Sequence, residues 1–350
     1  MPIYIKGTGN ISPQQTWGNS HIHLPVSYAS NRLRCIEPDY SLWIAPLQLR
    51  RMSRIIKMGV AAAFMALKEA GISHPGGILT GTGFGCLQDT GQFLSQMIQS
   101  REEALNPTPF IQSTHNTIGS QIALLLQSHG YNQTYAHDGF SFESALLDAM
   151  LQLSEYPDQS LLVGGVDEIT DISHRIQSRF GLYRNEVADS LTIFKSEEKG
   201  TLHGEGSAWF VLSGTPQPDT ASIEAITMLY KPEEAELESN IDRFLSKAEA
   251  RREDIDLLVL GKSGDARHDR ILEKVADEIF PSSSIAVYKH LCGEYPVSTA
   301  FALWLSAEIL KTKQVPEIIL HKDHGRKAQT ILIYNQYFGM HHSLLLLKAC

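Results

Sequence analysis

The sequence predicts an α/β fold made of two related halves. Three observations predict it. Strand-like and helix-like patterns alternate through most of the 350 residues. Twice, an apolar strand is followed by a tight turn and then a helix of small residues. A stretch rich in Ser, Gly, Thr, Pro, Gln and Asp at 213–222 separates the two copies, which places an N-terminal half at 1–215 and a C-terminal half at 216–350. With 43% of residues hydrophobic, 20% charged and a net charge of −9, the chain carries enough apolar surface for a large core.

The elements follow in order. Met1 to Lys6 reads as a first strand and lacks the charged start and apolar centre of a signal peptide. Residues 53–70 form an amphipathic helix, with Ile55, Ile56, Val60, Phe64 and Leu67 near helical spacing and Gly71 as its stop. A buried strand at 77–83 contains glycines that allow close approach of another backbone. A helix at 117–128, capped by Gly130, precedes a strand at 133–136, a turn, and a helix at 141–153. An apolar strand at 160–166, a polar excursion to about residue 200 and a strand at 204–212 complete the half. The second half reads as helix 239–250, strand 255–261, helix 268–279, strand 284–288, a turn at 289–296, an apolar helix at 297–311 and strand-like runs at 328–334 and 343–348. The units 133–153 and 284–311 share one layout, so their two turns are expected to converge at a pseudo-twofold.

Several function classes are disfavoured. Double-stranded nucleic acid is bound by neutralising phosphates with Lys and Arg, which a −9 chain does not favour. The basic spots at Arg50, Arg51, Arg54 and Lys57, and at Arg251 and Arg252, read as solvated faces. The spacing of Cys35, Cys86, Cys292 and Cys350 matches no zinc or disulfide framework, so free thiols in a reducing cytoplasm are expected. No apolar run is long enough to cross a bilayer. Gly83-Phe84-Gly85 lacks both the Walker lysine and the full dinucleotide pattern. No cofactor and no metal are expected.

An ordered set of motifs resembles the β-ketoacyl synthase (condensing enzyme) family, which has a thiolase-like fold. Arg51-Met52-Ser53-Arg54 and the Ala-rich helix to Gly71 resemble its first long helix. Gly81 to Gly85 resembles its early Gly-rich strand end. Gly164-Gly165-Val166-Asp167-Glu168 and Gly204-Glu205-Gly206-Ser207-Ala208 sit where the family keeps similar glycine motifs. Lys289 and Gly293 match its second active-site turn. The resemblance spans most of the chain and implies a layered fold of two pseudo-symmetric βα halves. Residues 169–203 match poorly.

The family works through a Cys-His-His set. The cysteine takes an acyl group as a thioester, and the histidines support decarboxylation of a malonyl thioester and stabilise the oxyanion. Carried over residue by residue, the set is missing. The nucleophile position is Gly139, the first histidine aligns with Gly261, the second with Glu294, and only Lys289 is kept. Possible substitutes are His137, which either points into the pocket or caps the turn, and Cys292, whose thiol pKa a nearby ammonium lowers unless burial dominates. Ser141 reads as an N-cap. His268 reads as opening a surface helix. His341-His342 lies beside Phe338-Gly339, which resembles a reduced form of the family's Gly/Phe gate.

Within the family, a silent homologue called the chain-length factor pairs with an active ketosynthase and blocks the end of the acyl tunnel. The resemblance implies that role here. It gives no condensation activity alone, an active ketosynthase (or a second copy) as dimer partner, and an acyl carrier protein nearby. The setting is fatty-acid- or polyketide-type biosynthesis, with an aryl polyene-type pathway suggested by Phe140-Ser141-Phe142-Glu143. Tunnel and interface residues are expected at Phe110, Ile111, His115, Asn116, Phe140 and Phe338. The alternatives are an altered acyl-thioester enzyme, a malonyl-carrier decarboxylase or acyltransferase using His137 or Cys292, and an acyl-chain binding protein.

Overall fold

The computed structural model describes residues 1–350 apart from 19–21, 23, 104 and 219. In chain order the strands are β1 (Ile3–Ile11), β2 (Gly77–Gly81), β3 (Tyr131–Tyr135), β4 (Ser160–Asp167), β5 (Gly206–Ser213), β6 (Ala221–Tyr230), β7 (Leu257–Leu260), β8 (Ser284–Val287), β9 (Leu320–Lys322), β10 (Thr330–Tyr337) and β11 (His341–Ala349). The helices that matter below are α1 (Arg54–Ala70), α2 (Leu87–Gln99), α3 (Pro107–Gln112), α4 (Thr117–Leu126), α5 (Ser141–Glu155), α6 (Asp171–Arg179), α7 (Leu237–Lys247), α8 (Ala266–Lys274) and α9 (Ser298–Thr312).

These strands form an 11-stranded sheet in the order β9-β8-β7-β10-β11-β6-β1-β5-β4-β2-β3, and two short strands, Arg32–Leu33 and His203–Gly204, pair parallel in a separate sheet. Its two halves repeat one pattern. In the first, β1 pairs antiparallel with β5 and β5 with β4, whereas β4, β2 and β3 run parallel. In the second, β6 pairs antiparallel with β11 and β11 with β10, whereas β10, β7 and β8 run parallel. The halves join where Ile3 to Ile5 of β1 meets Ala221 to Ile223 of β6. The repeated strand–turn–helix units are therefore β3–α5 and β8–α9.

Side-chain alternation builds the layers. Leu257, Val259, Ile331, Ile333, Leu345 and Leu347 point to one core shared with α5 and α9. Their neighbours Leu258, Leu260, Leu332, Leu344 and Leu346 point the other way, onto α7 and the helix that begins with α8. In the first half Leu161 and Val163 join the α5/α9 core, while Leu162 and Val166 face α1. The result is helix, half-sheet, helix pair, half-sheet, helix. Gly81 is needed at the end of β2, because a Cβ there would lie 2.6 Å from the Phe142 backbone nitrogen.

Several elements differ from the sequence reading. α4 stops at Gln127, which adopts φ 51, not at Gly130. The helix read at 268–279 begins at Ala266 and changes to π-type winding over Val275–Ile279. β6, α2 and α6 were not foreseen. The apolar residues Leu94, Ile98, Ile172 and Ile176 of α2 and α6 are exposed, so neither helix presents a core-facing stripe of the usual kind. β6 is defined by pairing with β11, a partner more than a hundred residues away. Among the described residues no helix is long and apolar enough to cross a membrane.

Candidate functional site

The first turn follows β3. Asp138 adopts φ 48, an uncommon conformation for a non-glycine residue, and a single 3-10 turn at Asp138–Phe140 leads into α5. Ser141 locks it. Its hydroxyl donates to the Asp138 carbonyl at 2.8 Å and accepts the His137 N–H at 2.9 Å. Gly139 is buried, and the space before it is occupied. A Cβ on Gly139 would lie 2.8 Å from Tyr337 Cδ1, 2.9 Å from Tyr337 Cβ and 3.0 Å from His341 Cβ. The Phe140 ring meets His341 edge-on at 4.6 Å.

The second turn follows β8. Lys289 opens a short helical turn that ends at Gly293, which adopts φ 75. Lys289 Nζ donates to both Glu294 oxygens, at 2.8 and 2.9 Å, and to the Gln336 carbonyl at 2.6 Å. Both charged side chains are 0% exposed, so all three ammonium donors are used inside the protein. Burial pushes the Glu294 carboxyl up, to about 7, against the opposing pull of Lys289.

The third position ends β7. A Cβ on Gly261 would lie 2.2 Å from Asn335 Oδ1, and the Gly261 N–H donates to the Tyr334 carbonyl at 2.8 Å. Asp269 pins the following turn by accepting the Ser263 and Gly264 N–H groups at 2.7 and 2.8 Å.

These positions meet at one place. Three consecutive residues at the end of β10 contact all of them: Asn335 faces Gly261, the Gln336 carbonyl holds Lys289, and Tyr337 covers Gly139. The β10–β11 turn fixes that strand end. Met340 N–H donates to the Tyr337 carbonyl at 3.1 Å, and Phe338 and Gly339 adopt φ 48 and 65. These two positive φ values belong to a type I′ turn, whose twist suits a hairpin.

Behind it lies a buried polar chain that sequence reasoning missed. Tyr288 OH donates to Asn335 Oδ1 at 2.8 Å, Asn335 Nδ2 to Thr299 Oγ1 at 2.6 Å, and Thr299 to Glu143 Oε1 at 2.6 Å. The Ser343 hydroxyl donates to the same Glu143 oxygen at 2.8 Å. Glu143 Oε2 has no partner among the described residues, and burial pushes this carboxyl up to about 7. The available signal was spacing: Glu143 lies three residues before Leu146 and so on the buried face of α5.

The substitute nucleophiles are placed differently from one another. Cys292 is buried, its Sγ 3.4 Å from the Gly293 carbonyl, and burial raises its thiol well above the usual range despite Lys289. The expected activation by the ammonium is therefore outweighed by desolvation. His137 is exposed, with Nδ1 3.3 Å from Ser144 Oγ; it does not enter the filled space before Gly139. His268 does not open a surface helix. It is half-buried within the first turn of α8, against Gly339.

Phe110 and Ile111 on α3 are 56% and 66% exposed, and the Phe110 ring lies tilted against Phe93 of α2, with centroids 5.1 Å apart. His115 and Asn116 are exposed, with the His115 ring against Gly85. Phe338 is half-buried in the β10–β11 turn. Among the described residues no group of three His, Cys, Asp or Glu is placed to hold a metal.

Residues 31–198 match the family model described as β-ketoacyl synthase, N-terminal domain. No curated protein matches the chain in sequence. Among solved structures, the chain is similar to the ishigamide ketosynthase/chain length factor, with a TM-score of 0.81 and 16% identity over 100% of this chain and 99% of that one. It is similar to the type II polyketide synthase acyl-carrier protein in complex with its ketosynthase bound to the hexaketide (AntDE:AntF), with a TM-score of 0.79 and 14% identity over 99% of both chains. It is also similar to the ketosynthase ApeO in complex with its chain length factor ApeC from Xenorhabdus doucetiae, with a TM-score of 0.78 and 15% identity over 99% of this chain and 98% of that one. At these identities the likeness establishes the thiolase-like fold.

Proposed function

We propose that this chain is a non-catalytic, chain-length-factor-like subunit of two ketosynthase-like halves, divided near residue 215. It pairs with an active ketosynthase in the cytoplasm to build a fatty-acid- or polyketide-type chain on an acyl carrier protein, with aryl polyene biosynthesis as the favoured setting. The observation that carries this reading is the filled end of β10. Where a nucleophile and two imidazoles would converge, the chain has Tyr337 over Gly139, Asn335 over Gly261 and a closed Lys289–Glu294 pair. Without a thiolate no acyl-enzyme forms, and without imidazoles no neutral donor faces a thioester oxygen.

A partner is supported by the surface around the edge strand β3. Leu124 and Tyr131 are exposed there, on α4 and β3, and Leu94, Ile98, Phe110 and Ile111 are exposed on α2 and α3, which pack against each other. Leu147 and Leu151 on α5 add to them beyond β3. Exposed apolar surface of this extent beside an unpaired strand edge marks an interaction site.

Co-expression with a ketosynthase that retains Cys-His-His tests the proposal. The two chains are expected to purify together, and condensation on malonyl-carrier protein should require the partner's cysteine. Covalent acyl label on this chain alone, or release of carbon dioxide by it alone, would refute the reading in favour of an altered enzyme.

A further inference from the structure

A basic cleft lies away from the end of β10, beside α6. The start of this helix is locked by reciprocal hydrogen bonds, Ser173 N–H to Thr170 Oγ1 at 3.0 Å and Thr170 N–H to Ser173 Oγ at 3.2 Å. Asp171, His174, Arg175, Ser178 and Arg179 recur at three- and four-residue spacing and so share one of its faces. The short parallel pair Arg32–Leu33 and His203–Gly204 sets Arg32 level with His203. Arg32 and that face of α6 together line an open cleft of about 500 Å³.

The charges of this cleft do not balance. Its lining holds three arginines, Arg32, Arg175 and Arg179, against the single acid Asp171. Asp171 is taken by Arg32 at 2.6 Å and by Arg34 at 3.4 Å, which leaves Arg175 and Arg179 in no ion pair among the described residues. Like charges one turn apart on a helix repel each other, so this pair is a cost to the chain standing alone. Two neutral groups complete the lining, Ser178 and His174. His174 is 5% exposed, with Nδ1 2.8 Å from His203 Nδ1 and Nε2 3.3 Å from Ser178 Oγ. Burial lowers both imidazoles, His174 to about 4. Both rings are therefore neutral near neutral pH, and one proton lies between the two Nδ1 atoms. When His203 donates that proton, His174 carries its own on Nε2, beside the Ser178 hydroxyl.

We propose that this cleft binds the dianionic phosphate of a small phosphate monoester, held by Arg175 and Arg179 and oriented by Ser178 and His174 Nε2. Two unpaired guanidiniums match two negative charges, and their placement one turn apart suits a single tetrahedral centre better than two separated carboxylates. The cleft is larger than a phosphate ion, which leaves room for the organic group of the ester. A bound anion selects the arrangement in which His203 Nδ1–H donates to His174 Nδ1, because only then does His174 present an N–H to it. The inference is independent of the proposed subunit role, since none of the residues at the end of β10 lines this cleft.

Phenyl phosphate is the probe, titrated calorimetrically into the full chain at about pH 8, above its second pKa of about 6. Saturable binding is expected, and it should weaken as salt is raised. Methyl phenyl phosphate keeps the ring and the tetrahedral phosphorus but carries one charge, so it should bind about tenfold more weakly. Arg175→Gln and Arg179→Gln should each weaken phenyl phosphate about tenfold. Both positions are exposed, so the urea midpoint should stay where it is. In the chain labelled with 15N at histidine, the bound state should show His174 protonated at Nε2. An absence of saturable heat, equal binding of the two phosphates, unchanged affinity in both arginine variants, or a bound His174 protonated at Nδ1 would each overturn the proposal.

Discussion

Restoring a thiol at the first turn should not restore an active site. In Gly139→Cys the new Cβ meets Tyr337 Cδ1, Tyr337 Cβ and His341 Cβ at 2.8, 2.9 and 3.0 Å. Ordinary carbon contacts are about 3.5–4.0 Å, so all three are overlaps, and two involve atoms tied to the β10–β11 backbone. Overpacking of this kind costs about 1–3 kcal/mol. A chain of 350 residues has an unfolding entropy of about 0.7 kcal/mol/K, taking about 2.1 cal/mol/K per residue. The loss therefore appears as a melting point lowered by about 1–4 °C, with the fold kept. The assay pairs thermal unfolding with mass spectrometry after incubation with an acyl-pantetheine thioester. No acyl adduct is expected at residue 139, because Tyr337 covers the sulfur. Gly139→Cys with Tyr337→Ala should relieve the overlap and expose the thiol to iodoacetamide, at the cost of the cavity left by a buried ring, about 3–5 kcal/mol, and still without condensation. Ketoacyl product from the single variant, at unchanged stability, would refute the reasoning.

Other outcomes follow from the same geometry. Lys289→Met strands Glu294 in a fully buried site and should cost about 3–5 kcal/mol in urea unfolding, while Lys289→Met/Glu294→Leu should recover most of it; a double variant as unstable as the single would contradict the closed-pair account. The Glu143 carboxyl is raised from 4.5 to about 7 in the folded chain. As pH rises the unfolded chain loses this proton first, so the group's contribution is present below about 4.5 and is lost by about 7. Glu143→Gln removes that loss, and its stability relative to the parent should climb by at least about 1 kcal/mol across this window; a flat difference would count against a proton held at Glu143. Ile111→Asp, at a 66% exposed position, should leave the isolated chain within about 0.5 kcal/mol of the parent yet abolish co-purification with a ketosynthase. Retained pairing would remove α3 from the interface.

The sequence by itself determined the elements whose periodicity faces a core. α1, α5, α9 and the central strands β2, β4, β5, β7, β8, β10 and β11 carry apolar patterns, and burial of those patterns against one another specifies the layers. The paired strand–turn–helix units were legible for the same reason, and that no cysteine or histidine stands at positions 139, 261 and 294 needs only residue identity. Only the tertiary structure decided what fills the gap. Asn335, Gln336 and Tyr337 look like ordinary strand residues until pairing with β7 and β11 brings their strand end against positions 139, 261 and 289. β6 and the exposed helices α2 and α6 escaped detection because their apolar residues pair at long range or face outward. By residue type Glu143 is a surface charge. Long-range packing buries it, and burial, which raises the energy of the charged form, turns it into a group of consequence.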